Sequence, residues 1–386
     1  MTLMDKDKAY IANTYARFPL LLTGGKGSLV TDDAGREYID MGTGIAVNSF
    51  GVADEAWIAA VTAQLGKLQH TSNLFYSEPC VLLAEQLCQR TGMKKVFFSN
   101  SGAEANECAI KAARKYAAKK YGAARGTIVT LHNSFHGRTI TTLAATGQDA
   151  FHHDFLPLTG GFAYADPTIE SVSALVAQGG VAAVMFEPVQ GEGGVLPLEQ
   201  AFVSWLGELA QKEDILLLAD EVQTGNGRTG SLYAYMQFGI QPDIVSTAKG
   251  LGGGLPLGAT LLGEKVQDVY GPGDHGSTFG GNPVSCAGAL SVLSRIDDGL
   301  MEQVREKSAY LVKTLSEAKG VRSVSGMGLM LGVETEKPAA EVIAACREKG
   351  VLVLSAKKKV RLLPALNIPW PLLVRAAATL AEVCGA

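Results

Sequence analysis

Six short apolar runs constrain the fold more than any other feature of the chain. They are KKVFFSN (94–100), GTIVTL (126–131), VAAVMFEPV (181–189), DILLLADEV (214–222), DIVSTA (243–248) and ATLLG (259–263). Each is short for a helix, and none alternates apolar with polar residues. Strands of that kind are covered on both faces, as in a parallel sheet. Stretches with helical spacing lie between them, among them 103–120 and 199–213. The alternation predicts an α/β fold with helices on both faces of a mostly parallel sheet. Right-handed crossovers then gather the strand C-terminal ends along one edge, where open α/β sheets bind ligands.

The flanks read differently. GSLVTDDAGREYIDM (27–41) is patterned as a hairpin turning at DDAG. Residues 286–318 read as one long helix. VRSVSGMGLMLGVE (321–334) and GVLVLSAKKKVRLLP (350–364) read as strands around a helix at 341–350. We expect a large domain over 46–285 and a smaller α/β domain built from both termini, 1–45 and 286–386.

Composition narrows the partners. Of 386 residues, 47% are hydrophobic and 19% charged, which is globular composition, and the net charge of −4 argues against nucleic-acid binding. The longest basic run is Lys357–Lys359. MTLMDKDKAY has no apolar leader core, and no run approaches the length of a membrane span, so a cytoplasmic location is expected. Cysteines 80, 88, 108, 286, 346 and 384 contain no C-x-x-C spacing, so reduced thiols are expected rather than a disulfide framework or zinc site. His132 and His136 have the spacing of helical metal ligands, but NSFHG reads as a loop and no metal is expected.

Three strand ends carry unusual chemistry. SNSGAEAN opens a helix, where Ser101, Gly102 and Ala103 form either an anion site or a plain capping box closed by Glu104. ILLLADE ends in Asp220 and Glu221, carboxylates that need a partner if buried. STAKGLGGG puts Lys249 at the end of an apolar run with glycines behind it. Pyridoxal phosphate uses all three: a helix N-terminus for its phosphate, a carboxylate for its ring nitrogen and a lysine for a Schiff base. Crowded apolar surroundings lower a lysine's pKa, and the glycines leave room for the cofactor. Two weaker matches compete. GNGRTG (225–230) fits a dinucleotide fingerprint but does not follow its strand directly, and STAK fits S-x-x-K with Ser246 as nucleophile but lacks the companion motifs.

The motifs SNSGAEAN, NSFHGRT, EPVQGEGG, ADEVQTGNGRTG, TAKGLGGGLPLGA and GSTFGGNP occur in one order across nearly the whole chain. In this the chain resembles the class III aminotransferases of the pyridoxal-phosphate fold type I. The resemblance implies roles residue by residue. Ser101, Gly102, Ala103 and Thr278 bind the phosphate end. Phe135 and Val222 cover the ring faces, Asp220 meets the ring nitrogen with Glu221 beside it, and Gln223 reaches the ring hydroxyl. Lys249 carries the cofactor and moves protons. Arg138 holds the substrate's α-carboxylate and Ser277 touches substrate. Ser277 and Thr278 come from a partner subunit, so the resemblance implies a homodimer with shared sites. Glu192 pairs with Arg361 and masks it until a dicarboxylate such as 2-oxoglutarate binds.

The resemblance is strongest to the acetylornithine branch. Gly44 in TGIAVN stands where ornithine-specific members carry a tyrosine, which implies an acylated basic amino acid as donor. Tyr76 in NLFYSEP points the other way, since an aromatic there also occurs in the ornithine branch. NSFGVADEAW (48–57) lacks the usual G-H-x-H-P. Transfer from N-acetylornithine to 2-oxoglutarate is expected. The alternatives are succinyldiaminopimelate, succinylornithine, ornithine or 4-aminobutyrate as donor.

Overall fold

The structure, a computed structural model, describes residues 1–386. Its centre is a seven-stranded sheet. The strands are β1 (Lys95–Ser99), β2 (Thr127–Leu131), β3 (Phe162–Ala165), β4 (Val181–Phe186), β5 (Leu216–Asp220), β6 (Ile244–Thr247) and β7 (Gly258–Leu262). Their spatial order is β1-β7-β6-β5-β4-β2-β3. Every residue of β4, β5, β6 and β7 is buried, which is why those segments are continuous apolar runs.

Strand β7 runs antiparallel to both its neighbours, β6 and β1, while the other pairings are parallel. The reason is chain length. Only residues 248–257 separate β6 from β7, too few for a parallel crossover. Sequence patterning also passes over β3. It is a half-buried edge strand of only four residues, FAYA, two of them alanine, so its apolar run is too short to stand out.

The segment read as one long helix is two, Pro283–Leu293 and Asp298–Ser316. Asp297 starts the second, its carboxylate accepting from Leu300 N at 2.8 Å. The hairpin near the N-terminus forms as expected, with strands Leu29–Asp32 and Glu37–Asp40 antiparallel. Glu37–Asp40 also pairs in parallel with Val351–Leu352, so both ends of the chain share one sheet. A further antiparallel sheet contains Val321–Met327, Met330–Thr335, Lys359–Leu362 and Leu354–Ala356. One connected apolar core includes Ile39, Leu83, Phe186, Val245, Val360 and Leu373, reaching across these units. No helix among the described residues is long and apolar enough to cross a membrane.

Candidate active site

Residues just beyond the C-terminal ends of β1, β2, β4, β5 and β6 line one cavity of about 450 Å³. It lies where the sheet's topology puts a ligand site.

Lys249 follows β6, is half-buried and lines the cavity. Its backbone is left-handed, φ +44°, a conformation that costs a non-glycine residue about 1–3 kcal/mol. Asn226 holds the approach to it, with Nδ2 donating to Thr247 Oγ1 (3.0 Å) and Ala248 O (3.2 Å). Burial lowers the Lys249 pKa and Arg361 lowers it further, against the opposing charges of Glu192, Asp220 and Glu187. A larger neutral fraction makes it a better nucleophile and base.

Asp220 ends β5 and is almost fully buried. Its Oδ2 meets His136 Nδ1 at 2.7 Å and accepts from Asn106 Nδ2 at 2.7 Å, and its Oδ1 accepts from Val222 N at 3.0 Å. Glu187, after β4, takes Phe135 N at 2.8 Å and Gly191 N at 3.3 Å. Burial, and then the charge of Asp220, push its carboxyl well above the ordinary range. Asn106, Glu187 and Asn226 escaped the sequence reading, and His136 was considered only as a metal ligand. For Glu187 a signal existed, since it closes the apolar run VAAVMF as Asp220 closes LLLA.

At the end of β1, the helix Gly102–Tyr121 begins with both features weighed in the sequence. Ser101 Oγ caps Glu104 N at 3.2 Å, and the glutamate reaches back to Asn100 N at 2.9 Å. Gly102 and Ala103 line the cavity at the same time. Their first-turn N–H groups have no protein acceptor among the described residues. A Cβ on Gly102 would sit 2.6 Å from Val222 Cγ1, so the valine seals the helix end. Phe135 also lines the cavity. Arg138 is braced near two rings, 4.0 Å from the Phe151 centroid and 5.4 Å from that of Phe135, with no carboxylate partner among the described residues.

Gln223 lines the cavity and leads to an ion pair behind it. Arg361 Nη1 donates to Glu192 Oε1 at 2.5 Å and to Gln223 Oε1 at 3.0 Å. Arg361 is 3% exposed. Burial would raise the Glu192 carboxyl, but the charge and hydrogen bond of Arg361 outweigh it and hold the group below its usual range. The ion pair expected from the resemblance is therefore formed.

Other expectations fall elsewhere. Glu221 faces away from the cavity, accepting from Thr224 Oγ1 at 2.5 Å and Tyr235 N at 2.7 Å. Adjacent residues at a strand end point to opposite faces, so it cannot join Asp220. Ser277 Oγ accepts from Asn100 Nδ2 at 3.2 Å at the cavity rim, while Thr278 and Tyr76 stand exposed. Gly44 lines a second cavity of about 380 Å³ with Phe18 and Leu354.

The glycines after Lys249 chiefly admit protein rather than cofactor. A Cβ on Gly250 would meet Ser49 Oγ at 2.7 Å, and one on Gly253 would meet Val292 at 2.7 Å and Trp57 at 2.8 Å; only Gly254 lines the cavity. GNGRTG opens no helix. Gly225 packs on Tyr233 and Gly227 on Met301, which leaves no phosphate loop there. Ser246 is buried behind the cavity wall, donating to Asn106 Oδ1 at 2.5 Å, and does not line the cavity, so the S-x-x-K match also fails.

The donor set fits pyridoxal phosphate. The N–H groups at Gly102 and Ala103 suit a phosphate, buried Asp220 a ring nitrogen, Phe135 and Val222 the ring faces, and Lys249 an aldehyde. The family model for class-III aminotransferases matches residues 10–382. The acetylornithine aminotransferase of Haemophilus ducreyi is 52% identical over 98% of this chain and 97% of its own. That of Aquifex aeolicus is 44% identical over 97% and 99%. The solved N-acetylornithine aminotransferase from Stenotrophomonas maltophilia is 36% identical, covers 98% of each chain and superposes with a TM-score of 0.86. An ornithine aminotransferase from Toxoplasma gondii, with PLP partly occupying its active site, is 30% identical, covers 99% and 93%, and gives 0.93. With this cavity at the strand ends and these relatives along its whole length, the chain belongs to the class-III aminotransferases, pyridoxal-phosphate enzymes that move amino groups between small amino acids and keto acids.

Proposed function

We propose that the chain is an acetylornithine aminotransferase of arginine biosynthesis. It converts N-acetylornithine and 2-oxoglutarate to N-acetylglutamate semialdehyde and glutamate. The observation that carries the reading is the ion pair of buried Arg361 with half-buried Glu192, resting on Gln223. One such pair lets one site serve two substrates. Closed, it presents no free charge to an amine donor lacking a second carboxylate. Opened, it offers a guanidinium fork to a dicarboxylate. The two curated relatives, both acetylornithine aminotransferases, support the donor.

Bound pyridoxal phosphate supplies an aldehyde that joins an amine and a ring that draws electrons from it. The protein does the rest. Gly102 and Ala103 hold the phosphate, with Thr278 reaching it from a partner subunit. Asp220, aligned by His136 and Asn106, holds a proton at the ring nitrogen. Phe135 and Val222 exclude water from the ring faces, and Gln223 reaches the ring hydroxyl. Lys249 Nζ takes a proton from one carbon and returns it to another in each half-reaction. Arg138 holds the α-carboxylate, and Ser277 of the partner subunit touches substrate. A homodimer, a cytoplasmic location and the division into 46–285 against 1–45 with 286–386 belong to the same proposal. The pairing of Glu37–Asp40 with Val351–Leu352 supports that division.

The test is a half-reaction without keto acid, followed by the visible absorption of the bound cofactor. N-acetylornithine is expected to react at least about tenfold faster than ornithine or 4-aminobutyrate, the scale on which pocket shape discriminates. If ornithine or 4-aminobutyrate reacts faster, the donor assignment falls and Tyr76 was the better guide.

A further inference from the structure

The turn GNGRTG carries one fully buried charge. Arg228 is 2% exposed, and burial lowers its pKa to about 9. Its Nη1 donates to Leu329 O (3.1 Å) and Pro364 O (2.5 Å), and its Nη2 has no partner among the described residues. Asp40, the nearby carboxylate, is itself engaged with the N–H groups of Gly42 and Thr43. A buried, incompletely satisfied guanidinium contributes little to stability. What it holds in place is more informative.

Leu329 lies just before the strand Met330–Thr335, and Pro364 lies just beyond Lys359–Leu362. These strands are antiparallel, with Leu331 opposite Leu362 and Gly332 opposite Arg361. Extending that register puts 329 opposite 364. One guanidinium nitrogen therefore staples the strand pair at the end close to Arg361. The grip runs both ways, because Leu329 N donates to Arg228 O at 2.9 Å. The approach is also tight: a Cβ on Gly328, at φ +54°, would lie 2.5 Å from Thr229 C. The same connection holds the Arg361 side chain directly through Gln223. So the chain leaving Asp220 sets the distance between the cofactor wall and Arg361.

We propose that Arg228 is a positioning residue for Arg361, holding it in register for the second carboxylate of a dicarboxylic substrate. This rests on the reading of Arg361 given above. A guanidinium fork meets a carboxylate productively only over a narrow range of positions, and a displacement of about 1 Å can cost about a hundredfold.

The experiment uses the cofactor-loaded enzyme and glutarate, an unreactive dicarboxylate, as calorimetric probe. Arg228→Met removes the staple, and Gly328→Ala forces the same contact apart from the other side. In both, the glutarate Kd and the KM for 2-oxoglutarate are expected to rise about tenfold or more, while the N-acetylornithine half-reaction stays within about twofold. Unchanged glutarate affinity, or equal loss in both half-reactions, overturns the positioning role. Should Arg228→Met not fold, Gly328→Ala decides alone. Arg361→Ala is the reference. If it binds glutarate normally, the reading of Arg361 fails and the proposal with it. If it loses glutarate while the other two variants keep it, only the role of Arg228 falls.

Discussion

At the scale of single residues, neighbours in sequence have been given opposite duties. Asp220 faces the cavity with three hydrogen bonds to its carboxylate, while Glu221 is turned into the protein. Burial raises the Glu221 carboxyl from an ordinary 4.5 to about 7. A carboxyl raised on folding stabilises the native state below its unfolded pKa, and that contribution is lost as pH climbs through about 7. A change of this size is worth on the order of 3 kcal/mol. Glu221→Gln keeps the shape of the protonated form. Between pH 5 and pH 8, wild type should therefore lose stability relative to Glu221→Gln in urea melts. Parallel curves for the two proteins would show that Glu221 does not titrate in this range.

At the scale of elements, the cavity depends on a helix end sealed against a strand exit. Gly102→Ala drives a methyl into Val222. Overpacking of this kind typically costs about 1–3 kcal/mol, so cofactor affinity should fall about five- to hundredfold. Adding Val222→Ala should recover part of the loss, and equilibrium dialysis against pyridoxal phosphate measures both. A Gly102→Ala protein with wild-type affinity would remove the helix end from the phosphate site. Much of this level was legible in the sequence. Apolar runs gave the buried strands, and Asp220, Lys249 and Gly102 stand at their ends. What stayed hidden was long-range. Asn106, His136 and Asp220 come from three separate segments, and only the folded sheet brings them together. Glu187 faces the same cavity from a fourth. Apolar content does not encode the direction of β7, but the short connection at 248–257 already excludes a parallel crossover. Glu221 was misplaced beside Asp220, although the two-residue period of strands already excludes it from the cavity.

At the scale of the molecule, one surface exposes three large aromatic side chains. Phe75 is 71% exposed, Tyr76 97% and Phe279 59%, and Asn73 Nδ2 ties their two loops together through Ser277 O and Gly280 O at 3.0 Å each. Those loops carry Tyr76 and also Ser277 and Thr278, the two residues that the proposed dimer shares between sites. A symmetric interface repeats any defect on both sides. Phe75→Asp should therefore shift sedimentation from dimer to monomer and lower activity in parallel. An intact, active dimer would place the interface elsewhere. The whole arrangement is built around Lys249. Reduction of the loaded protein with borohydride, followed by peptide mass mapping, tests it most directly. The cofactor's mass is expected on the peptide that contains Lys249 and on no other. Attachment at a different lysine, or at none, would contradict it.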